Sequence, residues 1–232
     1  MRQGRRPNEL RPLEIIPGFL EQPHGSALIS CGKTRVLCTA SLEESVPRWL
    51  SGRGRGWLTA EYSLLPASTG DRTAREARTG RQQGRTVEIQ RLIGRSVRAV
   101  ADMEALGERT LWLDCDVLQA DGGTRCAAIS GVYVAAMLAL DRFGLSKALR
   151  GSVAAVSVGL VGGEALLDLD YEEDSGAEVD VNVVTTGDGA LIEVQATAER
   201  APFSRDRLDE LLDLAAGGIE EITAAQQDVL RA

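Results

Sequence analysis

Asp121-Gly122-Gly123-Thr124-Arg125 follows a strand-like run at residues 111–119 and opens straight into a second apolar stretch. A strand that turns into a helix this way makes an anion pocket. The first N–H groups of the helix are unpaired, and the helix dipole adds partial positive charge there. Glycines allow close backbone approach, and an arginine in the first turn offers a planar donor fork suited to phosphate. A second constellation lies at residues 166–183, where Asp168, Asp170, Glu172 and Asp174 alternate, followed by Glu178, Asp180 and Asn182. Interleaved Leu169, Val179, Val181 and Val183 predict a hairpin anchored in a sheet. With Ser175 to Val179 as the connection, Asp174 and Asp180 would face each other with Cβ atoms ~5 Å apart. Such paired carboxylates suit Mg²⁺ or Mn²⁺ completed by water and phosphate. Arg85, in Gly84-Arg85-Thr86, sits at the start of a third apolar-periodic segment. Taken singly, each of these is also a common structural feature. Together, a phosphate nest and a metal pair are what phosphoryl-type transfer needs, and no histidine is required.

The elements that must position these groups follow from periodicity. Strands are expected at 26–31 and 34–41 around Gly32-Lys33, at 56–65 and at 110–119. Residues 67–84 read as a long arginine-rich loop and 86–105 as a helix, with Ile89, Leu92, Ile93, Val97 and Val100 on one face and Arg91, Arg95 and Arg98 on another. That arginine stripe could meet RNA, a neighbouring subunit or water. A buried helix is expected after Arg125, stopped near Gly144. Strands are expected at 152–161, 164–172, 178–185 and 190–197, and a last helix from Ser204. The hairpin–strand–helix succession occurs twice. No linker divides the chain, so residues 1–232 read as a single α+β domain, a mixed sheet packed with helices.

Net charge is −8, which argues against general nucleic-acid binding. Yet eleven arginines lie between Arg48 and Arg98, opposed only by Glu61, Asp71, Glu76 and Glu88, so one local surface for an anionic polymer is expected. Cys31, Cys38, Cys115 and Cys126 show no C-x-x-C pairing and read as reduced thiols of a cytoplasmic protein. The single histidine, His24, follows Pro23 in a turn and reads as structural. No signal peptide and no run of ~18 apolar residues is read, so no membrane partner is expected.

Several long motifs stand in one order: Asn8-Glu9-Leu10-Arg11-Pro12, Gly56-Trp57-Leu58-Thr59-Ala60-Glu61-Tyr62-Ser63, residues 84–95, residues 114–125 and Tyr171-Glu172-Glu173-Asp174-Ser175. In these the chain resembles the ribonuclease PH family of phosphorolytic tRNA nucleotidyltransferases over essentially its whole length. The resemblance implies a ribosomal-protein-S5-domain-2-like fold and a homohexameric ring built as a trimer of dimers. It implies a 3′-to-5′ exoribonuclease that trims tRNA precursors, rRNA and other 3′ ends with inorganic phosphate and Mg²⁺, releasing nucleoside diphosphates. By motif, Arg85, Gly123, Thr124 and Arg125 would hold phosphate, Asp174 and Asp180 would be the catalytic, metal-supporting pair, and Arg72 and Arg75 would contact RNA or serve assembly. Two departures stand out: Gln3-Gly4-Arg5 where relatives carry Asp-Gly-Arg, and Ala67 where many carry a basic residue. Two rivals share parts of this reading. A non-catalytic RNA-binding ring subunit would not need both aspartates and both arginines; a metal-dependent hydrolase leaves Gly123-Thr124-Arg125 without a task.

Overall fold

The computed structural model describes residue 2 and residues 4–231; Gln3, one of the two departures, lies outside them. Two sheets carry the chain. The first contains β1 (Leu13–Pro17), β2 (Gly25–Cys31), β3 (Thr34–Glu43), β4 (Trp57–Leu64) and β5 (Thr110–Gln119), in the order β1-β2-β3-β5-β4. Its pairs are antiparallel except β4 with β5. The second contains β6 (Val153–Val161), β7 (Glu164–Leu167), β8 (Val179–Thr186) and β9 (Leu191–Ala198), in the order β7-β6-β8-β9, all antiparallel. The helices are α1 (Glu76–Thr79), α2 (Gly84–Ala99), α3 (Met103–Leu106), α4 (Thr124–Arg142), α5 (Tyr171–Gly176) and α6 (Arg205–Arg231). The one mixed sheet read from the pattern is therefore two sheets, of which the first is mixed. The helix read at 86–105 is two, separated at Val100–Asp102 where Asp102 caps α3 by accepting from the Glu104 and Ala105 N–H groups.

α4 is the central element, packed on β2 and β3 of one sheet and β6 of the other. It is apolar on all sides, which a helix tolerates only when covered all round. By length and composition it could cross a membrane, which the run-length reading did not anticipate, but here most of that stretch is buried within the fold. Its contact with the first sheet is close: a Cβ on Gly131 would lie 2.6 Å from Ile29 Cγ2 and 2.9 Å from Cys38 Sγ. Toward the second sheet Ser130 Oγ accepts from the Ala155 N–H at 3.1 Å. The buried Gln226 of α6 donates to the Ser130 and Val153 carbonyls at 2.9 and 3.0 Å. α6 covers the other face of the second sheet through Leu211, Ala215, Ile219 and Ile222 against Ala154, Val156, Val158 and Val181.

Strand alternation then dictates where chemistry can sit. On β8, Val179, Val181 and Val183 join the core under α6, while Val184 joins the core around α4. Asp180 and Asn182 share the Val184 side because successive residues point to opposite faces. The arginine stripe of α2 is largely tied down within the fold. Arg95 makes a bidentate pair with Glu193 at 2.7–2.9 Å, and Arg98 donates to the Leu58 carbonyl at 2.9 Å and lies 5.5 Å from the Trp57 ring centroid. His24 is structural as expected: its Nδ1 accepts from the Leu42 N–H at 2.9 Å and its ring packs edge-on against Phe143.

Candidate active-site cleft

A cleft of about 890 Å³ opens at the N-terminus of α4, lined by β4, Thr69, Gly70, Asp71 and Thr73, and by residues of α5 and β8 together with Glu199. Arg85, Gly123, Thr124, Arg125, Asp174 and Asp180 all line it. The fold thus brings together every residue expected to hold phosphate and both aspartates. Arg72 and Arg75 are exposed and do not line it. Arg75 borders a separate hollow beside Asp116 instead, where its charge works against the burial that raises the Asp116 carboxyl. Ala67 is exposed on the same loop.

The turn expected to hold phosphate is built by a left-handed pair, Gly122 at φ 76° and Gly123 at φ 64°, the latter capping α4. Only glycine fits the first position: a Cβ there would lie 2.5 Å from the Leu169 carbonyl oxygen. Thr34 clamps the turn, its Oγ1 donating to the Gly122 carbonyl at 2.7 Å and accepting from the Asp121 N–H at 2.9 Å. Thr124 Oγ1 accepts from the Tyr62 hydroxyl at 2.9 Å. Burial raises the Tyr62 phenol, against the opposing bond to Thr124, so it stays a donor at neutral pH. Arg125 Nη1 donates to Gln195 Oε1 at 2.9 Å, and Gln195 Nε2 in turn donates to Glu193 Oε1 at 3.0 Å, the carboxylate that holds Arg95. This chain of bonds ties the arginine to β9 and α2.

The acidic pair is assembled differently from the sequence reading. Asp174 is not on a strand and does not face Asp180 across a hairpin. β7 ends at Leu167, Asp168 turns the chain with φ 53°, and Asp170 starts α5. The reason is a capping box: Asp170 Oδ1 accepts from the Glu173 N–H at 3.0 Å and Glu173 Oε2 accepts from the Asp170 N–H at 3.1 Å. The D-x-x-E spacing at 170–173 was a helix-start signal that the carboxylate alternation masked. In the sheet Asp180 is opposite Gly159 and Thr197. The two carboxylates nevertheless interact. Burial raises Asp180, with the Asp174 charge adding to it and Arg125 opposing. Burial also raises Asp174, with Arg125 and Arg85 opposing.

Asp180 Oδ2 accepts from Asn182 Nδ2 at 3.3 Å, whereas its Oδ1 is buried with no hydrogen-bond partner among the described residues. Buried unsatisfied oxygens are uncommon and call for an explanation. A hard divalent cation supplies one: two carboxylates, with water and phosphate oxygens, fit the sparse protein coordination of Mg²⁺. Among the described residues no cluster of three or more His, Cys, Asp or Glu side chains could hold a metal unaided. Asn182 is set in turn by Cys126, whose Sγ lies 3.3 Å from Asn182 Oδ1. Burial pushes that thiol well up, so it remains a donor.

One supporting pair escaped the sequence reading. Arg11 and Asp168 are buried beneath the turn, and Asp168 accepts from the Arg11 backbone N–H at 2.8 Å, Nε at 2.9 Å and Nη2 at 2.6 Å. Arg11 Nη1 also donates to the Asp121 carbonyl. Burial disfavours the guanidinium's charge, but the bonds and charge of Asp168 outweigh it and the net direction is up. Arg5 adds contacts to the Asp168 carbonyl and to Glu173 at 3.2 and 3.3 Å. Neither Arg11 nor Asp168 stands at a spacing that marks burial; only the tertiary fold joins them.

The sequence signature of the 3′ exoribonuclease family, domain 1, matches residues 9–146, and that of domain 2 of the same family matches residues 151–218. A ribonuclease PH of Syntrophomonas wolfei is 58% identical over 233 residues, covering 98% of each chain. One from Neisseria meningitidis is 55% identical over 237 residues, covering all of this chain and 98% of its own. Among solved structures, rice Rrp46 superposes with a TM-score of 0.81 at 18% identity, covering 98% of both chains. A chain of the Archaeoglobus fulgidus exosome with RNA bound to the active site superposes at 0.78 and 23% identity, covering 94% of this chain and 89% of its own. At those identities the two structures speak for the fold alone.

Proposed function

The chain belongs to the 3′ exoribonuclease family, among relatives named ribonuclease PH, and from that membership and the cleft we infer a phosphate-dependent 3′-to-5′ exoribonuclease acting on tRNA precursors and other RNA 3′ ends. The observation that carries this is the meeting of a helix-capping glycine nest, Arg125 and Arg85 with two carboxylates in one cleft. An oxygen of inorganic phosphate attacks the phosphorus of the last phosphodiester. The bond to the 3′ oxygen of the preceding nucleotide breaks, that oxygen takes up a proton, and the terminal nucleotide leaves as a nucleoside diphosphate. Arg85, Arg125 and the N–H groups at Gly123 and Thr124 hold the attacking phosphate and offset its repulsion from the RNA. Asp174 and Asp180 would hold Mg²⁺ or Mn²⁺, which when bound supplies positive charge beside the scissile phosphate. The reverse reaction, extension from nucleoside diphosphates, uses the same contacts.

The test is product identity. RNA with a 3′ extension, incubated with phosphate and Mg²⁺, should release nucleoside diphosphates and should be stable without phosphate. Release of monophosphates in phosphate-free buffer would show a hydrolase instead. Arg125→Ala should raise the KM for phosphate about tenfold to a hundredfold, the equivalent of one charge-assisted hydrogen bond; an unchanged phosphate requirement would remove Arg125 from the nest.

The reading extends to assembly and location. A homohexameric ring, a trimer of dimers, would give exposed Arg72 and Arg75 a task at subunit contacts or on RNA. Sedimentation should give a hexamer, and a monomer with full activity would refute the ring. Four free cysteines, three of them buried, suit the reducing cytoplasm.

A further inference from the structure

A 3′ exoribonuclease must seat the terminal nucleotide whatever its base. The groups described so far address phosphates, and none offers a surface to a base. Two aromatic rings line the cleft, those of Tyr62 and Tyr171. Tyr62 is only 3% exposed and its hydroxyl is committed to Thr124, so it serves the wall. Tyr171 is 64% exposed, and among the described residues its hydroxyl has no hydrogen-bond partner. The other exposed aromatics, Phe19, Trp49, Trp112 and Phe143, lie outside the cleft.

Position adds to exposure. Tyr171 opens α5 and Asp174 follows three residues later, so the two share one side of that helix. The capping box fixes this first turn to the body of the protein, because the Glu173 that closes it is also paired with Arg5. The two side chains therefore leave the helix from Cβ atoms about 5–6 Å apart and line the same cleft. A phenol side chain has only two rotatable angles and loses little freedom when covered.

We propose that Tyr171 is the platform on which the base of the 3′-terminal nucleotide stacks. The proposal rests on the RNA-trimming reading above and names the part of the substrate that reading left without a site. Stacking suits the task because every base has a π face, so the contact tolerates any sequence. Arg85 and Arg125 fix the phosphates while Tyr171 fixes the plane of the base, which together define the direction of the scissile bond.

A short RNA ending in 3′-terminal 2-aminopurine reports this directly. In buffer with a chelator and without phosphate, binding to the wild-type protein should quench its fluorescence through stacking. Tyr171→Phe should quench equally. Tyr171→Ala and Tyr171→Leu should lose the quench and weaken RNA binding about tenfold to a hundredfold, as removal of one base–aromatic stack does. The KM for phosphate should stay as in the wild type. Undiminished quenching in Tyr171→Ala would overturn the proposal. So would a loss in Tyr171→Phe as large as in Tyr171→Ala, quenching confined to a probe placed inside the strand, or a changed oligomeric state in Tyr171→Ala. Phosphate-dependent release by the wild type is scored separately, so failure of the phosphorolytic reading and failure of the stacking platform give different results.

Discussion

Asp180→Asn should cut phosphorolysis about a hundredfold to a thousandfold, the loss typical of removing one preorganised electrostatic group from an active site, and in metal-free buffer at pH 7 it should make the protein more stable. The two signs have one cause. Asp180 is held in a half-buried site beside Asp174, with one oxygen unsatisfied. Burial first, then the Asp174 charge, raises its pKa above the ordinary carboxylate value. A group raised on folding lends stability while protonated, below its unfolded pKa, and that contribution is lost as pH rises through the folded pKa. At neutral pH the ionised pair therefore weighs against the fold. An asparagine keeps the size and still accepts from Asn182, but carries no charge. Tm should rise by about 2–4 °C, the shift that ~1 kcal/mol produces in a chain of this length. The gap should close below about pH 4, where the wild-type carboxyl is protonated too. Thermal melts at pH 4 and pH 7 with a chelator check the sign, and Mg²⁺ should stabilise the wild type more than the variant. A variant that melts lower at pH 7, or that turns over normally, would move the catalytic charge elsewhere.

The candidate site was legible in the chain only in part. The nest was, because it is local: two glycines, a threonine and an arginine at a strand–helix junction depend on neighbours in sequence, and Gly122 and Gly123 take up the left-handed backbone that such a junction demands. Asp180 was legible for the same reason, since β8 alternates in two-residue steps. Asp174 was found as a residue but placed on the wrong element. The alternation from Asp168 to Asp174 matches a strand, yet the Asp170–Glu173 capping box fixes a helix, and a reciprocal pair of hydrogen bonds outweighs a pattern of exposed carboxylates. The division into two sheets was not legible either, because α4 is apolar on every side and gives no sign of which strands it separates. Arg11 is the extreme case: an arginine in a polar N-terminal segment gives no hint that it will be buried 157 residues from its partner in sequence.

That hidden pair should carry the largest stability effect in the molecule. Asp168→Asn is expected to destabilise the fold by about 3–5 kcal/mol, the usual result of leaving one member of a buried ion pair without its counter-charge. The Arg11 and Asp168 side chains are 5% and 9% exposed, so water cannot replace the lost carboxylate. Asparagine is the informative choice because it tolerates the left-handed backbone that Asp168 adopts at φ 53°. It separates charge from backbone strain, which alanine would mix. One amide oxygen cannot accept all three Arg11 donors that the carboxylate now serves at 2.6–2.9 Å. For a chain of this length the Tm should fall by about 6–20 °C. Adding Arg11→Met should restore part of the loss, because an apolar side chain of similar length needs no counter-charge. Function should follow the geometry: Arg11 Nη1 holds the Asp121 carbonyl at the root of the nest, and Asp168 joins the nest to the turn that starts α5. The KM for phosphate should therefore rise in Asp168→Asn even well below its melting temperature. A Tm drop under about 3 °C would mean that the guanidinium finds another partner and that the nest stands without this pair.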